Sequence, residues 1–326
     1  MDFFKSEEEF VEFIKRFQIP HPYVREGIGE DTAILEFNGK IISITTDSYS
    51  EDIHFRRSYL TLREIAYRTV AGALSDLAAC GAKPITVLIS LLIPENFSKN
   101  EIEEFYSGIS EVLNNFGISI SGGDLIKIKG KFSFTITCIG EISDYPILRR
   151  GAKENDLVCI TGDTGRVLAS LEMLENNIKV EEKIRKKLIE KFKYPKPRIA
   201  EIIELKEKLR ISSGIDISDG ISKDANRLAK ASGVKIILEE EKLPLLPELV
   251  SFAGLLNKEP IYYVTNSGEE YEVLFTVPES EASKLPEWVA IIGRAEKGEG
   301  LFIKDKEGNL RELKGGYDFF ETSKYF

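Results

Sequence analysis

Residues 32–47 read TAILEFNGKIISITTD, and this stretch decides the class of fold. Two β-like runs, Thr32 to Phe37 and Ile41 to Thr46, are joined by Asn38-Gly39-Lys40, a turn whose first residues accept a left-handed backbone. The spacing predicts an antiparallel hairpin ending in Thr45-Thr46-Asp47. A doubly wound parallel sheet would open on strand, helix and strand instead.

Upstream, Phe10, Phe13, Ile14 and Phe17 fall at helical spacing behind Ser6, with Glu9 three residues on, so Ser6 to Phe17 reads as a capped amphipathic helix. Downstream, Thr61 and Glu64 form a T-x-x-E box that opens a helix to about Cys80, stopped by Gly81 with Pro84 beyond. Ile85 to Leu92 is a continuous apolar strand, and Lys99 to Asn115 a helix ended by Gly117. Ile118 to Ser121 is expected as a short strand, Gly122-Gly123-Asp124 as a turn, and Phe132 to Glu141 as an alternating strand.

Arg149-Arg150-Gly151-Ala152 reads as the hinge between two halves, 1–147 and 148–326. The second half restarts with a buried strand, Leu157 to Thr161, and a Gly162-Asp163-Thr164-Gly165 loop entering a helix. Charged helices around 181–193 and 198–210 lead to Ile215-Asp216-Ile217-Ser218-Asp219-Gly220. A helix to about Ser232, a strand at Val234 to Leu238, a looser Pro- and Leu-rich stretch and a strand at Tyr271 to Val277 follow. Hairpins mixed with helices predict α/β (α+β) layering on mixed sheets in two domains.

Composition bounds the function. At 326 residues the chain exceeds what one hydrophobic core comfortably holds, and 42% hydrophobic with 30% charged residues is an ordinary globular balance. A net charge of −10 argues against broad nucleic-acid or anionic-membrane binding. No run of about 18 apolar residues occurs, and the acidic start MDFFKSEEEF is unlike a signal peptide, so a cytoplasmic enzyme is expected. Cys80, Cys138 and Cys159 lie far apart in apolar stretches, as buried thiols do.

The chemistry lies in the carboxylates. Asp31 and Asp47 bracket the hairpin, Asp76 is embedded in Ala73-Leu74-Ser75-Asp76-Leu77-Ala78-Ala79, Asp124 follows two glycines, and Asp216 and Asp219 flank Ile217-Ser218. An aspartate among Ala and Leu is a poor helix former and costly to bury charged, so something positive should meet Asp76. Alternatively it caps a loop or pairs with Lys83 or an arginine, and the other aspartates serve only as turn residues. If the turns converge, so many carboxylates repel one another unless cations bind, and hard oxygen ligands suit Mg²⁺ bridging to substrate phosphates. Phosphoryl transfer follows, because there the protein mainly positions groups and neutralises charge. Only His21 and His54 exist, and neither G-x-S-x-G nor a Walker loop is present. Gly162 to Gly165 could present amides to a phosphate or could be a plain strand-to-helix turn.

The ordered series Gly27-Ile28-Gly29-Glu30-Asp31, Thr45-Thr46-Asp47, Leu74 to Ala82, Gly122-Gly123-Asp124, Asp216 to Gly220 and Ser267-Gly268-Glu269-Glu270-Tyr271-Glu272 resembles the thiamine-monophosphate kinases. These belong to an ATP-dependent superfamily that includes aminoimidazole ribonucleotide synthetase and selenophosphate synthetase. Tyr194-Pro195-Lys196-Pro197-Arg198 and Gly316-Tyr317-Asp318-Phe319-Phe320 add to the resemblance, which covers nearly the whole chain. It implies a homodimer whose N-terminal mixed sheets pair into a β-barrel, with a C-terminal α/β domain completing an ATP cleft. It also implies that Asp31, Asp47, Asp76, Asp124 and Asp216 ligate Mg²⁺ with Thr45 and Thr46 assisting, and that Asp219 holds a further ion. Gly123, Asp124, Arg149 and Ser218 would bind ATP, and His54, Glu269 and Tyr317 would contact thiamine monophosphate. How many ions bind, and whether K⁺ is needed, stays open.

Leu125-Ile126 stand where the family has threonines, Glu270 where Asp is usual, Asn266-Ser267 in place of a glycine-rich approach, and Glu30 for the first of two aspartates. The rival readings are another ATP-using member of the superfamily and a dimeric scaffold whose acidic loops only bind divalent ions. A selenophosphate synthetase would carry a Cys and a Lys in a glycine-rich N-terminal segment, whereas the first cysteine here is Cys80, inside the expected helix.

Overall fold

The alternation of residues 40–50 carries the second hairpin arm further than its turn signals predict, and this longer strand organises the first half. A computed structural model describes residue 4 and residues 6–317. Strands β1 (Val24–Glu26), β2 (Ala33–Phe37), β3 (Lys40–Ser50), β4 (Lys83–Pro94), β5 (Ser119–Ile128) and β6 (Ser133–Ile142) form one sheet in the order β1-β2-β3-β6-β4-β5. All neighbours are antiparallel except β4 and β5, which run parallel. The sheet is open, and β5 is its outer edge.

The second sheet holds β7 (Leu157–Ile160), β8 (Ser213–Asp216), β9 (Lys235–Glu239), β10 (Val273–Val277), β11 (Ala290–Glu296), β12 (Gly300–Lys304) and β13 (Leu310–Glu312). Its order is β13-β12-β9-β11-β7-β10-β8, mixed in direction. The mixed α/β class is therefore as expected.

Helix α1 (Glu7–Lys15) starts at Ser6, whose hydroxyl accepts from the Glu9 amide. Reciprocal capping boxes open α2 (Leu62–Ala79) and α3 (Lys99–Phe116), at Thr61/Glu64 and Ser98/Glu101. Four further helices surround the second sheet: α4 (Arg166–Glu175), α5 (Glu182–Lys193), α6 (Ile199–Lys208) and α7 (Ile221–Ser232). The Pro- and Leu-rich stretch, expected to be looser, folds into α8 (Pro247–Leu255) and α9 (Pro260–Asn266), each with proline in its first turn.

Helix α2 is buried almost all round, as a helix rich in Ala and Leu without a polar face must be. Its Ile65, Leu74 and Leu77 share one core with Ile136 and Cys138 of the first sheet and Val273 and Phe275 of the second. The connector between the sheets is pinned by Ser232, whose hydroxyl accepts from the amides of Gly151 and Ala152 and donates to the Arg149 carbonyl, each at 3.1 Å.

One local expectation fails. Gly122-Gly123-Asp124 is not a turn; it lies inside β5, which pairs along β4 from Ser119 to Ile128 with a single register shift at Val87/Leu88. The glycines signal close approach instead of chain reversal, since a Cβ on Gly123 would fall 1.8 Å from the Ile89 carbonyl oxygen. The three cysteines are buried and unpaired. Among the described residues no helix is long and apolar enough to cross a membrane.

Candidate functional site

Strand periodicity turns Ile41, Ser43, Thr45, Asp47 and Tyr49 of β3 toward α2, and there two consecutive residues of α2 reach opposite ways. Asp76 accepts a 2.5 Å hydrogen bond from Thr45 Oγ1, tying α2 to the first sheet. Ser75 Oγ donates at 2.6 Å to Asp216, the last residue of β8, tying α2 to the second. Asp31, whose side chain is buried at the start of the hairpin, is gripped by the Arg149 guanidinium, with Nε at 2.9 Å.

Four of the expected aspartates thus share one region. Burial, then repulsion from Asp47, Asp216 and Asp31, pushes the Asp76 carboxyl well above the usual range. Burial and Asp31 do the same to Asp216, and burial pushes Asp47 up to about 6. Each carboxylate is turned to a protein partner, and among the described residues no three His, Cys, Asp or Glu side chains close round a common point for a metal ion.

Asp124 does not join them. Register places Gly123 in line with Ile89, Ile136 and Asp47 on the row facing α2, and Asp124 in line with Ser90, Thr135 and Ser48 on the opposite face, where it is exposed. Thr46 also faces away, its hydroxyl 3.0 Å from that of Thr137.

Beside the cluster stand two of the expected acceptor residues. His54 accepts at Nδ1 from the Ser50 amide, and its ring meets Tyr49 edge-on. Tyr49 in turn reaches Asp47 at 3.4 Å. Burial lowers the His54 pKa; Arg68 adds to this and Glu269 opposes it. Glu269 pairs with Arg68 Nη2 at 2.5 Å, and its amide donates to the Ser218 carbonyl. On the far side of that loop the Tyr317 amide donates to the Asp219 carbonyl, and Lys223 donates to the Tyr317 carbonyl. Asp318 to Phe320 lie outside the described residues. The Asp219 carboxylate is 2.7 Å from Arg227 and 3.3 Å from Lys223.

Several residues that hold the site escaped the reading of the sequence. Asp224 accepts from the amides of Ser218, Asp219 and Gly220, shaping the acidic loop, and burial with Asp219 pushes it to about 7. Arg68 carried the same signal as Asp76, a charge inside an apolar helix. The acidic run 269–272 divides its work. Glu269 meets Arg68, while Glu270 takes the amides of Gly165 and Val167 at the start of α4. The Gly165 amide, at the end of the Gly162–Gly165 loop, is therefore already engaged by Glu270. Glu272 accepts from Thr161 and Lys191 and, bidentately, from Arg198, both bonds at 2.7 Å.

Glu30, the replaced first aspartate, accepts from the Arg149 amide and from Arg150. Leu125 and Ile126 lie exposed on β5.

Residues 29–142 match the AIR synthase related protein N-terminal domain, and residues 153–306 its C-terminal domain. The thiamine-monophosphate kinase of Aquifex aeolicus is 35% identical over 90% of this chain and 92% of its own, and that of Pyrococcus horikoshii 34% over 89% and 92%. A solved structure, AaThiL complexed with AMPPCP and TMP, superposes with a TM-score of 0.87 at 31% identity, covering 98% of this chain and 99% of that one. A HypE–HypF complex, at 21% identity and TM-score 0.75 over 94% and 99%, shares the fold.

Proposed function

We propose that this chain, which belongs to the thiamine-monophosphate kinase family of AIR synthase related proteins, transfers the γ-phosphoryl group of ATP to thiamine monophosphate, giving thiamine diphosphate and ADP. The observation that carries this is the meeting of Asp31, Asp47, Asp76 and Asp216, drawn from three elements and a loop, beside His54 and Glu269. No nucleophile or base is needed, because the acceptor is a phosphate oxygen that is already anionic.

The donor set fits Mg²⁺. Its ligands are hard carboxylate oxygens, and three of them, Asp47, Asp76 and Asp216, sit where burial disfavours their charge unless a cation is present. Asp31, Thr45, Asp47, Asp76 and Asp216 would hold the ions, with Asp219 at a further one. Bound there, Mg²⁺ would offset the repulsion between the two polyanions these residues bring together. Arg149, at the edge of the cluster through Asp31, would meet ATP phosphates, as would Ser218 on the loop that Asp224 shapes. Glu269 and His54 face the acceptor, and Tyr317 supplies a ring for its flat cationic heterocycle.

The functional unit we propose is a homodimer. The ten residues of β5 pair with β4 on one side and with no described strand on the other, and Ile120, Leu125 and Ile126 are 40%, 60% and 50% exposed on this edge strand. A second copy pairing along this edge would cover them from both faces, enclose Gly123 and Asp124, and extend the sheet toward a barrel. The halves 1–147 and 148–326 then both supply metal ligands, Asp31, Asp47 and Asp76 from the first and Asp216 and Asp219 from the second, in a cytoplasmic enzyme.

The test is an assay of thiamine diphosphate formed from thiamine monophosphate and ATP, with ADP quantified. Equal ADP and thiamine diphosphate is the expected result; release of inorganic phosphate without thiamine diphosphate points to another acceptor and ends the proposal.

A further inference from the structure

Tyr271 stands at the seam between the carboxylate cluster and the acceptor residues, and the chain accepts three local costs to keep it there. Tyr271 itself has φ +53°, a left-handed backbone that a bulky aromatic rarely adopts, and Glu269, two residues earlier, has φ +54°. Such strain persists only where surrounding structure enforces it, and it concentrates at functional positions. Enforcement is visible here: the amides of Glu270 and Tyr271 both donate to the Ile217 carbonyl, and the Glu269 amide to that of Ser218.

The second cost is in α2. Gly72 lies in the interior of this buried helix, where alanine would favour the helical state. A Cβ on Gly72 would fall 2.7 Å from both Cζ and the hydroxyl oxygen of Tyr271, so the glycine makes room for the ring. The third is the hydroxyl. Tyr271 is 6% exposed, and its phenol makes no hydrogen bond to any described residue, although the polar end of a largely buried tyrosine ordinarily finds a partner. Electrostatically it lies in the field of Glu269, Arg68, Asp47 and Asp216. A core tyrosine kept only for packing would be served as well by phenylalanine.

We infer that Tyr271 is a further catalytic residue, whose hydroxyl donates a hydrogen bond to a non-bridging oxygen of the phosphoryl group as it passes between the two phosphates. This rests on the kinase reading above. In the step, the bond from the γ-phosphorus to the ADP oxygen breaks, a bond from the acceptor phosphate oxygen forms, and the phenol keeps its proton throughout. Its role is that of a donor aimed at charge in the transition state.

The experiment uses the full chain. Tyr271→Phe should lower kcat about 100-fold, in line with removing one such donor. KM for both substrates should hold within about twofold, and Mg·AMPPCP should raise Tm as much as in the wild type. Gly72→Ala, which pushes the ring aside, should lower kcat as well, and the double variant should fall little below Tyr271→Phe alone, since both remove one interaction. An active wild type with Tyr271→Phe within twofold of it overturns the inference and leaves the kinase reading intact. A fall in kcat matched by loss of Mg·AMPPCP stabilisation also overturns it, because the hydroxyl is then structural. A wild type that binds Mg·AMPPCP but forms no thiamine diphosphate ends both.

Discussion

The Arg68 guanidinium lies 2.5 Å from the Glu269 carboxylate, 3.0 Å from the Phe192 carbonyl and 4.2 Å above the Phe192 ring, so a buried cation from α2 holds a half-buried anion in the acceptor region. Glu269 is thereby fixed in place beside His54.

Replacing Arg68 with Met should leave Glu269 free to turn away. A charge-assisted hydrogen bond contributes about 1.5–3 kcal/mol, so kcat/KM for thiamine monophosphate should drop roughly tenfold or more while KM for ATP barely moves. Steady-state kinetics with each substrate varied in turn distinguishes this from a general loss of activity.

Asp76→Asn should lower turnover by at least about 100-fold without unfolding the protein. Burial and three neighbouring carboxylates oppose the Asp76 charge, so its removal relieves repulsion in the metal-free state. Calorimetry should give a Tm equal to or above that of the wild type, with less of a rise on adding Mg·ATP. Near-normal turnover would remove Asp76 from the metal site.

Asp47 offers a pH test. Burial raises its carboxyl to about 6, above its value of about 4 in an unfolded chain, so the native state holds a proton the unfolded state has released. The stability linked to this group is complete below about pH 4 and is lost as pH rises through 6. Tm measured against Asp47→Asn should therefore decline for the wild type between pH 4 and 7, and Mg·ATP should recover most of the difference at pH 7.5.

Lys191 carries the opposite balance. Burial alone would lower its pKa, but Glu272, Glu270 and Asp163 outweigh that and hold it above the ordinary range. Lys191→Met leaves two fully buried glutamates short of a cation and should cost about 3–5 kcal/mol, read by chemical denaturation. Loss of the α4 and Glu269–Glu272 arrangement should reduce activity in parallel.

Edge-strand burial predicts the assembly. Leu125→Glu places a charge on the edge strand β5 and should shift the protein from dimer to monomer in sedimentation equilibrium, with Tm falling by a few degrees. A wild type that is monomeric at micromolar concentration contradicts the homodimer.

Much was legible from the chain alone because local rules decide it. The capping boxes at Thr61/Glu64 and the hairpin at Asn38-Gly39 are short-range hydrogen-bond and dihedral choices, and they fall within a few residues of where they were expected. An acidic residue in an apolar helix betrays a site, because its desolvation must be answered by something, and this marked Asp76. Which acids meet is a different matter. Gly122-Gly123-Asp124 reads as a turn until a parallel neighbour extends it, and a single residue of strand parity then puts Gly123 in the Asp47 row and Asp124 on the other face. Arg68 and the Lys191 network were silent because their partners lie up to some two hundred residues away and meet them only in the tertiary fold, whereas Asp224 caps amides four to six residues back in a loop whose conformation the sequence pattern did not announce. The sequence determined the elements and the kind of chemistry; register and burial, which depend on long-range contacts, decided which side chains share the site.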